Sequence, residues 1–149
     1  MSLLKDDPTG RIPPGQRVTE KFPVMTAGTP TITPLSDWDL SLWIEAEDGK
    51  RREVGRWDHG TIRKLGLAEI TCDIHCVTRW SKLDTRWGGV TVDRLLTNAS
   101  IDPAAEAGDL PLRYLLAECD GDYSANLRLE DLHAENGFVA LDYDGAPLP

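Results

Sequence analysis

The chain has 149 residues, 40% hydrophobic and 28% charged, which is one domain's worth of globular composition and enough to bury a core without disulfide staples. A formal net charge of −9 argues against nucleic acid or an anionic membrane surface as a partner, although a local basic cluster can still receive a small anion. No apolar run approaches the roughly 20 residues that span a bilayer, no secretory leader opens the chain, and three cysteines make no disulfide framework, so the expected location is the cytoplasm.

Residues 1–35 are rich in Pro, Gly and Thr, and Pro13-Pro14-Gly15, Gly28-Thr29-Pro30 and Thr33-Pro34 exclude helix. An extended arm is expected there, flexible over residues 1–10 and anchored by Phe22, Val24 and Met25. Trp38, Leu40, Leu42 and Ile44 alternate with mostly polar neighbours and predict a half-buried strand. Asp48-Gly49 supplies a hairpin turn, and residues 50–54 return as the partner. A short helix over 59–66 ends at Gly66. Residues 70–77 predict a buried strand, with Ile70, Cys72, Ile74 and Cys76 on one face and Asp73 and His75 on the other. Thr91 caps a helix running to about Asn98, striped by Val92, Leu95 and Leu96. Pro103 and Pro111 bracket a loop, residues 112–119 read as a buried strand, and Asp120-Gly121-Asp122 turns the chain. Residues 127–133 are amphipathic without a clear assignment. Residues 138–143 form a last strand closed by Asp144-Gly145. Short strands, long irregular connections and two or three small helices predict an α+β fold dominated by mixed strands.

The chemistry concentrates in Asp73-Ile74-His75-Cys76-Val77-Thr78-Arg79-Trp80-Ser81. A thiol in that company is either a small core hydrophobe or a soft ligand for a redox metal. No phosphate-cradling glycine loop, dinucleotide fingerprint, C-x-x-C pair or G-x-S-x-G elbow is present. Cys72, His75 and Cys76 could make half a zinc site, but strand parity turns His75 away, and His59, Cys119 or His133 would have to converge. The same parity argues against a Cys76–His75 nucleophilic pair. Arg79, Lys82 and Arg86 gather here against the acidic trend, forming either an anion pocket or a solvated surface.

Residues 73–84, followed by Trp87-Gly88-Gly89-Val90, resemble the core of the oxidoreductase molybdopterin-binding domain, in the bacterial cytoplasmic branch of the sulfite oxidase superfamily. Arg11-Ile12-Pro13-Pro14-Gly15-Gln16, with Thr19 and Phe22-Pro23-Val24, is similar to the arm of that branch. Cys119-Asp120-Gly121-Asp122-Tyr123-Ser124-Ala125-Asn126-Leu127 is similar to its second active-site segment, and residues 144–149 to the hairpin before its pterin-phosphate clamp. The resemblance implies a molybdenum-molybdopterin cofactor with Cys76 as the metal's thiolate ligand. It implies cofactor contacts from Phe22, Pro23, Val24, His75, Thr78, Cys119 and Asp120, with Arg79 and Tyr123 beside Cys76 at the reacting centre. It further implies oxygen-atom transfer on a small oxo-anion or a sulfoxide. No haem segment lies in these residues, so electrons would pass to a separate carrier. Asp122 stands where the family more often has glycine, which weakens the case for sulfite. The domain is expected over residues 11–149, lacking the Arg- and Lys-bearing clamp that relatives carry beyond it. A cofactor-free binding or scaffold module of the same fold is the alternative.

Overall fold

The computed structural model describes residues 10–23, 32–104, 111–120 and 123–148. Val24 and Met25, two of the expected arm anchors, lie outside them, as do Gly121 and Asp122. The arm carries a two-residue strand, β1 (Arg17–Val18). A hairpin follows, β2 (Asp39–Glu45) and β3 (Arg51–Asp58), paired antiparallel with a bulge between Leu42 and Trp43. Gly49, at φ +78°, takes the left-handed turn position that other residues resist. Helix α1 (His59–Lys64) starts on Asp58, whose side chain accepts from the Thr61 N–H at 2.7 Å. Gly66, at φ +88°, lies just past the helix end.

Strand β4 (Ala68–Cys76) returns into β5 (Trp80–Thr91), and β5 organises the molecule. It pairs antiparallel with β4 along nearly its whole length and parallel with β1 at its start. Its last five residues pair antiparallel with β8 (Phe138–Tyr143), which in turn pairs with β9 (Ala146–Pro147). Between these lie α2 (Val92–Asn98), the separate hairpin β6 (Tyr114–Glu118) and β7 (Ser124–Arg128), and a 3-10 turn over Leu129–Leu132. The resulting α+β architecture is dominated by strands in mixed sheets.

Helix α2 bridges two cores. Leu95 packs with Trp57, Ile62, Val90 and Leu141, while Leu96 packs with Ile44, Ile101, Leu129 and Leu132. Thr91 caps the helix as its sequence predicts. Asp142 on β8 takes both arms of the Arg63 guanidinium, at 3.0 and 2.8 Å, and ties α1 to the sheet. No helix among the described residues is long and apolar enough to cross a membrane.

Three local expectations differ from the structure. The strand β5 was not legible as one element, because a bulge at Leu83-Asp84 opposite Asp73 breaks its period and Asp84 takes φ +54°. The strand expected to be buried at residues 70–77 is an edge among the described residues, with Cys72 exposed and Ile70, Ile74 and Cys76 on its face only half-buried. The strand expected to be buried at 112–119 is largely exposed, because only Leu112 and Leu115 reach the core.

Candidate functional site

Cys76 is the last residue of β4 and pairs directly with Trp80, the first of β5. The turn between them closes through the Arg79 N–H, which donates to the Cys76 carbonyl at 2.9 Å. Arg79 holds the left-handed position, φ +68°, usually given to glycine in a three-residue hairpin. The turn wraps the sulfur. Thr78 Oγ1 donates to Cys76 Sγ at 3.2 Å, and the main-chain N–H groups of Thr78 and Val77 point the same way. The Thr78 hydroxyl is the largest influence, and together these donors push the thiol below its ordinary value and favour the thiolate. Cys76 is half-buried, whereas Val77 beside it is 94% exposed.

Strand pairing sorts the neighbours into two faces. On the first, register places Arg17, Trp80 and Cys76 in one row across β1, β5 and β4. Trp80 is buried, and its indole N–H has no hydrogen-bond partner among the described residues. Phe22 lies edge-on to Trp80 with centroids 6.0 Å apart, and also meets Trp87 at 6.0 Å and Tyr143 at 5.3 Å. The Lys82 ammonium sits 5.4 Å from the Phe22 centroid and donates to the Glu20 carbonyl at 2.5 Å. The arm is thereby seated on the Cys76 face, with half-buried Pro23 following Phe22.

On the opposite face, His75 Nδ1 lies 2.9 Å from Ser81 Oγ, and the fully buried Ser81 donates to Gln16 Oε1 at 2.5 Å. Parity thus separates His75 from the Cys76 thiol, as the two-residue period predicts. One step along, Arg11 bridges Asp73 and Asp84, each at 2.6 Å. Its guanidinium holds the Asp73 carboxyl at about 2, helped by the Asp84 N–H.

Of the basic trio, Arg86 is engaged by Asp144 and Lys82 by Glu20 and Phe22. Arg79 has no ion-pair partner among the described residues and stands exposed at the turn. Cys119, Asp120 and Tyr123 sit together at the tip of the β6–β7 hairpin. There the Cys119 N–H donates to the Tyr123 carbonyl at 3.1 Å, and Asp120 accepts from Thr33 Oγ1 at 3.1 Å. Tyr123 is 72% exposed. Their bonds run within that tip and to Thr33, not to the Cys76 turn. Cys72 lies 3.6 Å from Thr85 Oγ1 and packs on the strand. Sequence reasoning missed Gln16, Ser81 and the Trp80 N–H. No local pattern marks them, because Gln16 is 65 residues from its partner and a donor's lack of an acceptor is a tertiary property.

No group of three or more His, Cys, Asp or Glu side chains among the described residues could hold a metal ion. The site instead offers one thiol whose ionisation is favoured by its turn, with a buried, unpartnered N–H donor in the same row. That donor set suits a thiophilic metal that brings most of its ligands with it, as a metal–dithiolene cofactor does. The residues present therefore fit such a group. The fold and this site define a strand-dominated α+β domain that presents one readily ionised thiol at a hairpin turn. Residues 26–149 match the model of the oxidoreductase molybdopterin binding domain, and the chain belongs to that family. It is 31% identical over 151 residues to a Bacillus subtilis (strain 168) protein named Uncharacterized oxidoreductase YuiH, covering 97% of this chain and 67% of that relative.

Proposed function

We propose that this chain is a molybdenum-pterin oxidoreductase that moves an oxygen atom to or from a small oxo-anion or a sulfoxide. The observation that carries this reading is the Cys76 turn, a thiolate-favouring loop in a chain with no competing multi-ligand cluster among its described residues. When bound, the cofactor would supply the two-electron redox chemistry that oxygen-atom transfer needs.

The chain's own residues have four tasks. Cys76 would hold the metal through its sulfur, and the Thr78 hydroxyl would favour the ionised form of that sulfur and fix its direction. Trp80 offers its N–H to the ligand, and the Phe22–Trp87–Tyr143 cluster keeps water from that face. Arg79, free of carboxylate partners among the described residues and three positions from the thiol, attracts an anionic or strongly dipolar substrate. His75, Pro23, Val24, Cys119 and Asp120 contact the cofactor, and Tyr123 lines the substrate mouth. Electrons leave to a separate carrier, and the setting is cytoplasmic.

The test is metal analysis of the full chain produced in cells that make the cofactor. About one molybdenum per chain, with a fluorescent pterin released on oxidation, is expected. Cys76→Ser should abolish molybdenum redox activity while the fold persists. Retained activity in that variant overturns the ligand assignment. A monodisperse, folded, metal-free protein instead identifies a cofactor-free binding module.

A further inference from the structure

We infer that Gln16 and Ser81 are positioning residues that decide which nitrogen of His75 faces outward, an inference that rests on the reading of the Cys76 region as a cofactor site. Ser81 has one hydroxyl proton and two neighbours that could share it. Its oxygen is 2.5 Å from Gln16 Oε1 and 2.9 Å from His75 Nδ1. A separation of 2.5 Å belongs to O–H···O bonds and is shorter than N–H···O bonds ordinarily reach. The amide of Gln16 therefore turns its oxygen to Ser81, and the hydroxyl proton goes there. What Ser81 presents to His75 is a lone pair, so Nδ1 carries the ring proton and donates it. In the neutral ring Nε2 is then an acceptor, and His75 is exposed enough for a ligand to reach it.

The arm holds this relay in place at several points. Arg17 N–H donates to the Arg79 carbonyl at 3.1 Å, and Thr19 N–H to the Ser81 carbonyl at 2.8 Å. Arg11 fastens the arm's start to Asp73 on β4 and Asp84 on β5, the residues that face each other at the bulge. The consequence is chemical selectivity. An acceptor nitrogen takes an N–H or O–H donor, which the nitrogen heterocycle of a pterin carries and an ionised phosphate lacks.

The experiment is a long-range proton–nitrogen correlation spectrum of the full chain purified without cofactor, at a pH where the ring is neutral. His75 signals are assigned through His75→Gln. The expected spectrum has a protonated Nδ1 and an unprotonated Nε2. Gln16→Leu should lose that preference and give a mixture of tautomers, while Gln16→Glu, which keeps an acceptor oxygen, should retain it. Amide signals of helix α2 report that each variant is folded. A wild-type ring protonated at Nε2, or a tautomer that ignores Gln16→Leu in a folded chain, overturns the relay. A chain that keeps the Nδ1 proton but takes up no molybdenum overturns the proposed function and leaves the relay standing.

Discussion

On one face of the β4–β5–β1 ribbon, Gln16, Ser81 and His75 satisfy one another in an unbroken chain. On the other, one row along the same strands and among the described residues, the Cys76 sulfur takes bonds only from its own turn and the Trp80 N–H has no acceptor. The two rows share a backbone, so the difference lies in the side chains. A buried donor left without a partner costs about 1–3 kcal/mol, and folded domains carry few of them. The bonded face fixes the arm to the sheet. The other face combines a thiol primed to ionise, a spare donor and a wall of aromatic rings, the combination expected where a ligand rather than the protein completes the bonding.

The largest way to break this comparison is to remove the ladder that both faces share. A Cβ on Gly89 would lie 2.1 Å from the Val139 carbonyl oxygen and 2.9 Å from the Phe138 ring. Backbone cannot yield as a flexible side chain can, so Gly89→Ala should cost at least ~3 kcal/mol, or prevent folding. A denaturation midpoint close to wild type would show that β5 and β8 part easily, and that neither face is rigid.

A smaller effect separates the faces' electrostatics from their packing. Trp80 and Trp87 lie on the same side of β5, and Phe22 touches both. The Trp87 N–H donates to Thr85 Oγ1 at 2.9 Å, whereas the Trp80 N–H has no such partner. Trp87→Phe loses a bond and some ring contact, and should cost about 2 kcal/mol in chemical denaturation. Trp80→Phe loses contact at a more buried ring but relieves an unsatisfied donor worth about 1 kcal/mol, so its cost should still be the smaller of the two. Equal costs would mean that the Trp80 N–H does find an acceptor in solution, and its role as a ligand donor would fall.

Much of this arrangement can be read from residue order. Two-residue parity separates His75 from Cys76, Thr91 announces α2, and residues 138–143 form β8 as their pattern requires. Local signals suffice for these because each depends on neighbours in sequence. The strand β5 was hidden for a physical reason. Lys82, Asp84 and Arg86 interrupt its apolar period, the extra residue at Leu83-Asp84 shifts it, and Gly88-Gly89 mimic a turn where they in fact admit close backbone approach. Arg79 in a left-handed turn is equally invisible, since a glycine would have advertised it. The Gln16–Ser81 bond and the unpartnered Trp80 N–H depend on how distant segments meet, which no local pattern encodes.

The smallest expected effect concerns acid, and it acts on the bonded face alone. Arg11 holds Asp73 at about 2, against an ordinary 3.8, chiefly through its side-chain hydrogen bond. A carboxyl whose value is depressed by folding contributes its full stabilisation above the ordinary value. That contribution is lost as pH falls from about 3.8 toward 2, because the unfolded or detached form takes up the proton first. The arm should therefore loosen from β5 within that window. Amide exchange at Arg17 and Thr19, which donate to the Arg79 and Ser81 carbonyls, reads the loosening once intrinsic exchange rates are divided out. Protection at both should fall across the window in wild type. In Arg11→Ala it should already be reduced at neutral pH and show little further change, because the arm no longer has an ion pair with Asp73 to lose, and the Asp84 N–H that Asp73 still accepts lies on β5 itself. The bonds that wrap the Cys76 sulfur come from Thr78 and Val77 within the turn and do not involve Arg11. The readiness of that thiol to react with an alkylating reagent at neutral pH should be the same in Arg11→Ala as in wild type. Protection that stays flat down to pH 2 would show that the aromatic seat of Phe22, not the Arg11 ion pairs, fastens the arm. A changed thiol reactivity would show that the two faces are coupled through β4 after all.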